Sequence, residues 1–274
     1  MDKYAVFGNP ITHSKSPQIH TLFAEQTKQN LVYTKNLIEV DEFSTAAKEF
    51  FKTGKGLNIT VPFKLDAFEF ADSLSARAEC AGAVNTLILQ ADGSVRGDNT
   101  DGLGMVADIS ERLDWAIANK RVLILGAGGA VRGVLQPLLE KNPALLVVAN
   151  RTASKAVDLA EKFSQLGPIK GCGYGDIFTD TTEPFDLVIN GTSASLAGDL
   201  PPLPENLLAQ GANCYDMMYG VGPTVFMRWA EQHGAAHTAD GLGMLVGQAA
   251  ESFNLWRGVK PEVQPVITQL RIKL

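Results

Sequence analysis

The segment Arg121-Val-Leu-Ile-Leu125 runs directly into Gly126-Ala127-Gly128-Gly129-Ala130-Val131-Arg132, and residues 133–141 continue with helical periodicity. A β-rich run, a glycine-rich turn and a helix in immediate succession commit this part of the chain to a βαβ unit. Such a turn brings backbone N–H groups to a helix N-terminus, where the dipole favours an anion such as a pyrophosphate. The third glycine of the simple dinucleotide fingerprint is replaced by Val131. The strand before and the helix after carry the inference.

The pattern continues on both sides. Short β-rich runs at 4–7, 31–38, 57–61, 85–89, 121–125, 145–149, 186–189 and 213–217 are separated by stretches of helical character. In 41–51, for instance, Phe43, Ala46, Ala47, Phe50 and Phe51 share one face. Repeated alternation predicts an α/β chain with mostly parallel sheets covered by helices. Ala91-Asp92-Gly93 reads as a tight hairpin that introduces an antiparallel strand in the first half.

No linker or internal repeat marks a boundary. The helix-like stretch 100–113 precedes the new strand at 121, so the division is placed near residue 101. The expected plan is an N-terminal α/β substrate domain, residues 1–101, completed by C-terminal helices within 241–274. A Rossmann-like domain covers 102–240, and a cleft lies between them. Helices are expected at 242–257 and 262–270.

The strand at 145–149 bears on the cofactor. An NAD site places a carboxylate on the ribose 2′-hydroxyl roughly 20 residues past the glycines. Here no Asp or Glu occurs between Glu140 and Asp158, and the strand ends in Asn150-Arg151-Thr152 with Lys155 one turn on. Arg151 is able to bond a 2′-phosphate that a carboxylate would repel, so the site reads as NADP-binding. A second reading has Asn150 and Thr152 capping a helix at 154–163, which is compatible with the first.

Bulk properties narrow the partners. The 274 residues carry a net charge of −6, against wholesale binding to nucleic acid or an acidic membrane surface. No apolar run is long enough for a signal peptide or membrane span. Cys80, Cys172 and Cys214 are odd in number and scattered, which suits the cytoplasm. They lack CxxC spacing, and Gly234 separates His233 from His237, so no metal site is expected.

Four clusters place polar side chains where strands end: Gly8–Pro17, Leu57–Lys64, Ala81–Thr86 and Gly97–Gly102. Ligands of parallel α/β sheets bind at such ends. Together with the Gly126–Arg132 loop, Asn150-Arg151-Thr152, the run Tyr215 to Tyr219 and the run Asp240 to Gln248, these segments resemble the shikimate dehydrogenase family, in the family's order and along the whole chain.

The resemblance implies NADPH-dependent reversible reduction of 3-dehydroshikimate to shikimate. Ser14 and Ser16, helped by Thr60 and Tyr219, would hold the substrate carboxylate, and Asn58, Asn85 and Gln248 the ring hydroxyls. Lys64 and Asp101 would be the catalytic pair. Gly126, Ala127, Gly128, Gly129, Ala130, Asn150, Arg151, Thr152 and Lys155 would contact NADP, with Met217 and Gly241 flanking the nicotinamide. Alternatives are a quinate/shikimate dehydrogenase of broader specificity and a catalytically silent ligand sensor. The chain is expected as a monomer or homodimer.

Two positions depart from the family pattern. An acidic residue common about nine positions before the substrate asparagine is here Ala76, followed by Arg77. Near Asn190-Gly-Thr-Ser193, a glycine of many relatives is Ser195. Reduction of a ketone leaves an alkoxide that must be protonated. None of the four histidines lies in a catalytic motif, so Lys64 is the candidate acid. Enclosure weakens a lysine's hold on its proton and an adjacent carboxylate strengthens it, which leaves open which of the pair transfers it.

Overall fold

The computed structural model describes residues 1–179, 183–194 and 198–273. Ser195 lies outside them. The chain divides into two compact units, Met1–Gly104 with Val246–Leu270, and Met105–Leu245 with Arg271–Leu274. This division differs by a few residues from the expected 101/102 and 240/241 and adds a third crossing at 270/271, because all three fall inside helices, α5 (Asp101–Ala107), α9 (Leu242–Arg257) and α10 (Val263–Ile272). The expected helix at 100–113 is α5 followed by a wider π-type turn at Asp108–Arg112.

In the first unit, β1 (Asp2–Gly8) lies between β2 (Leu31–Leu37) and β3 (Gly54–Ile59), parallel to both. Beyond β3 come β5 (Thr86–Leu89) and β6 (Val95–Asp98), an antiparallel pair, and the two-residue β4 (Ser73–Leu74) closes the edge. The anticipated hairpin joins β5 to β6, with Gly93 at φ +89°. Alternation along β1 directs Tyr4 and Val6 to one face and Ala5 and Phe7 to the other. Phe7 packs on Phe43 and Phe50 of α2 (Phe43–Phe51), the apolar face read from the sequence.

The opposite face receives α9. Trp256 packs on Tyr4 with ring centroids 4.7 Å apart and planes tilted by 32°, and its Nε1 donates to the Leu87 carbonyl at 3.1 Å. Gly56 makes room for that indole, since a Cβ there would lie 2.3 Å from Nε1.

The second unit is a six-stranded parallel sheet in the order β12-β11-β10-β7-β8-β9. Its central strands β7 (Arg121–Leu125), β8 (Leu145–Asn150) and β10 (Phe185–Asn190) carry continuous apolar runs, 122–125, 145–149 and 187–189, as strands buried on both faces do. The outer strands are β9 (Ile169–Gly173), β11 (Leu208–Asp216) and β12 (His237–Ala239). Strand order reverses between β7 and β10, where doubly wound sheets bind ligands beyond the carboxyl ends.

Candidate active site

In the first unit the polar clusters converge at strand ends. Lys64 opens α3 (Lys64–Phe70), Asp101 opens α5, and the Lys64 ammonium donates to Asp101 Oδ2 at 2.5 Å. Asp101 is buried and Lys64 only partly exposed, so water screens this pair less than a surface one. The other carboxylate oxygen, Oδ1, accepts from Asn85 Nδ2 at 2.8 Å. Asn85 also donates to Gln248 Oε1 at 3.3 Å.

Gln248 comes this close because Gly104 and Gly247 bring the two backbones together. A Cβ on Gly104 would lie 2.3 Å from the Gln248 nitrogen. Asn58, buried at the end of β3, donates to the Asn85 carbonyl at 3.3 Å. Ser16 opens α1 (Ser16–Thr27), and its backbone N–H donates to Ser14 Oγ at 3.3 Å. Thr60 follows β3, with its N–H on the Phe7 carbonyl at 3.0 Å. The predicted substrate residues Ser14, Ser16, Asn58, Thr60, Asn85 and Gln248 therefore belong to the same unit as Lys64 and Asp101, whereas Tyr219 belongs to the second.

Sequence reasoning missed part of this site. His20 and Tyr33 both reach Asn58 Oδ1, at 3.1 and 2.7 Å. Their rings stack with centroids 4.2 Å apart. Burial holds the His20 imidazole down to a pKa of about 3 and pushes the Tyr33 phenol well up. Neither residue lies in a recognisable motif, and only their distance from Asn58 reveals them. The departure at Arg77 also acquires a partner: its Nη2 donates to the fully buried Asp98 at 2.9 Å, beside Ser75 Oγ at 2.7 Å.

In the second unit, the turn after β7 is shaped for a phosphate. Gly126 has φ +105°, a region side chains disfavour, and its N–H donates to the Ala149 carbonyl at 2.7 Å. Gly128 caps α6 (Gly129–Leu139), and a Cβ on Gly128 or Gly129 would meet nothing within 4 Å. That leaves open space beside Gly128 and Gly129 for a bulky anion on the backbone. Val131 replaces the fingerprint's glycine without a clash because Gly191 faces it. A Cβ on Gly191 would lie 2.3 Å from Val131 Cγ2.

Asn150 ends β8 and donates to the Thr152 carbonyl at 2.9 Å. Thr152 is the N-cap of α7 (Ala153–Phe163) but makes no side-chain capping bond, so capping does not account for its hydroxyl. Arg151, Thr152 and Lys155 are exposed around this helix start. The residues thus fit an NADP molecule.

Met217 is buried at the end of β11, and Gly241 lies against it. A Cβ on Gly241 would come 2.1 Å from the Met217 carbonyl oxygen. Asp216, unassigned from the sequence, organises this loop by accepting from Met218 N–H at 3.0 Å and Thr224 Oγ1 at 2.6 Å. Burial raises the pKa of Tyr219, and nearby Asp240 adds to the shift. Arg271 clamps Asp240 with bonds of 2.7 and 2.5 Å.

His233 and His237 do not share a site, since one stacks on Trp229 and the other on Trp115. Among the described residues, no group of three or more His, Cys, Asp or Glu side chains could hold a metal ion.

Comparison with known proteins gives one consistent family. The model for the shikimate dehydrogenase substrate binding domain matches residues 6–87. That for shikimate / quinate 5-dehydrogenase matches 108–197, and that for the shikimate 5'-dehydrogenase C-terminal domain matches 241–271. The chain is 66% identical to shikimate dehydrogenase (NADP(+)) of Cellvibrio japonicus, covering 100% of this chain and 98% of that one.

Among solved structures, an Ael1 enzyme from Pseudomonas putida superposes with a TM-score of 0.92 at 47% identity, covering 98% of each chain. Shikimate 5-dehydrogenase of Thermus thermophilus, in complex with NADP(H) and shikimate, gives 0.88 at 30% identity over 100% of both chains. With relatives matched from end to end at these identities, the chain belongs to the shikimate dehydrogenase family.

Proposed function

We propose that the chain catalyses the reversible NADPH-dependent reduction of 3-dehydroshikimate to shikimate, a step towards chorismate and the aromatic amino acids, as a cytoplasmic monomer or homodimer. The first unit takes the substrate and the second NADP. The observation that carries this reading is the Lys64–Asp101 ion pair, 2.5 Å long and joined to Asn85 at 2.8 Å. An ammonium and a carboxylate set among hydrogen-bonding side chains suit a polyhydroxylated ring.

NADPH supplies the hydride to the carbonyl carbon. Lys64 and Asp101 act as one acid–base unit that neutralises the alkoxide and holds the neighbouring hydroxyl. Asn58, Asn85 and Gln248 orient the ring, and Ser14, Ser16, Thr60 and Tyr219 bind the carboxylate. The Gly126–Ala130 turn takes the pyrophosphate, Asn150, Arg151, Thr152 and Lys155 take the adenosine 2′-phosphate, and Met217 and Gly241 flank the nicotinamide. The absence of any acidic residue from Lys141 to Val157 supports NADP over NAD.

The test is a comparison of initial rates with shikimate and quinate, each with NADP and NAD. The shikimate–NADP pair should be fastest by a wide margin. Comparable quinate turnover would broaden the assignment. Binding of both ligands by thermal shift, with no formation of reduced cofactor, would replace the enzyme with a sensor.

A further inference from the structure

Beneath Lys64 and Asp101, the first unit contains buried hydroxyls whose hydrogen bonds have a defined direction. The Asn85 carbonyl only accepts, so the Asn58 amide nitrogen faces it, at 3.3 Å. That nitrogen also reaches Ser252 Oγ at 3.0 Å and Thr86 Oγ1 at 3.2 Å. The Thr100 backbone N–H only donates, and it meets Asn85 Oδ1 at 2.9 Å. The Asn85 amide nitrogen is thereby left facing Asp101 Oδ1 at 2.8 Å.

Thr86 Oγ1 lies 2.8 Å from Asn85 Oδ1 and must donate to it. Thr86 therefore cannot donate to Ser252, 2.8 Å away, and the single Ser252 hydroxyl hydrogen is shared between Thr86 Oγ1 and the Gln248 carbonyl at 3.1 Å. Asn58 and Thr86 face each other across β3 and β5, and Ser252 follows Gln248 by one turn of α9. Thr86 and Ser252 are fully buried.

We propose that Thr86 and Ser252 are positioning residues for the reaction. Their hydroxyls fix the amides of Asn58 and Asn85, and Asn85 fixes the Asp101 carboxylate against Lys64. The two amides in the chain release no proton under ordinary conditions, so the chain carries orientation rather than a proton. This inference rests on reading Lys64 and Asp101 as the proton-handling pair.

Steady-state kinetics of the full-length protein test it, with Thr86→Val, Thr86→Ser, Ser252→Ala and Lys64→Ala compared in parallel. Removing a buried hydroxyl leaves its partners short of a bond, and in Thr86→Val kcat should fall about tenfold while KM changes less than about threefold. Thr86→Ser keeps the hydroxyl and should stay within about twofold of wild type on the same reasoning. Wild-type kcat in Thr86→Val, or equal damage in Thr86→Ser, overturns the proposal. Should Thr86→Val fail to fold, Ser252→Ala decides: a lowered kcat supports the role and an unchanged one overturns it. If Lys64→Ala keeps its turnover, the reading of the pair fails. If Lys64→Ala is inactive while Thr86→Val and Ser252→Ala are both normal, only the positioning role is lost.

Discussion

His20 shows how burial alone can set a residue's chemistry. It is almost fully enclosed, its pKa is held to about 3 by desolvation, and Nδ1 has no protein partner. The unfolded chain takes up a proton at this histidine below about pH 6.5, whereas the native state resists until about 3. Its contribution to stability is therefore complete above pH 6.5 and is lost as pH falls through that window. Between pH 7 and 5, His20→Phe should lose about 2 kcal/mol less unfolding free energy than wild type, as measured in urea titrations.

At the same scale, Lys64→Ala should lower kcat by about 100-fold or more with little change in KM, the range removed with a general acid. Ser14→Ala should instead raise the KM for shikimate. Lys64, Asp101 and the serines could be proposed because the short polar runs at strand ends that hold them resemble those of the family. Thr86 and Thr100 lay inside such runs without an identifiable role. His20, Tyr33 and Ser252 were invisible, because their partners lie 38, 25 and 194 residues away in sequence.

The long elements of this fold follow their sequence periodicity closely, and the departures have local causes. The expected helix at 242–257 is α9, and the hairpin at Gly93 joins its two strands. The missed strands β4, β9 and β12 have two, five and three residues. In β9, Gly171 suppresses the β signal because α7 passes too close for a side chain. A Cβ there would lie 2.2 Å from the Ala156 carbonyl oxygen.

The contact of α5 with α9 obeys the same rule. Gly104→Ala should push the helices apart, costing about 1–3 kcal/mol of stability and lowering Tm, as overpacked cores do. At the start of α7, Arg151→Ala should raise the KM for NADPH about 10- to 100-fold, the loss of a charge-assisted bond, and leave that for NADH nearly unchanged. Initial rates with both cofactors check this.

Across the whole chain, fold class and order of motifs were readable, while the limits of each unit were not, since α5 and α9 run through them without a break in pattern. The first unit is discontinuous. Residues 1–104 meet 246–270, which supply Phe253 against Phe23, Trp256 against Tyr4, and the buried Val266, Ile267 and Leu270. A fragment of residues 1–104 should accordingly show no cooperative melting transition by circular dichroism, and adding a peptide of 246–270 should restore one.

This discontinuity has a consequence during synthesis. Residues 1–104 cannot complete their core until roughly 165 more have been added, a delay on the order of ten seconds at an elongation rate of about 5–20 residues per second. Through that interval the nascent β1 and β3 leave one apolar face bare, so a growing chain of this design depends on a chaperone or on slow aggregation to reach its fold.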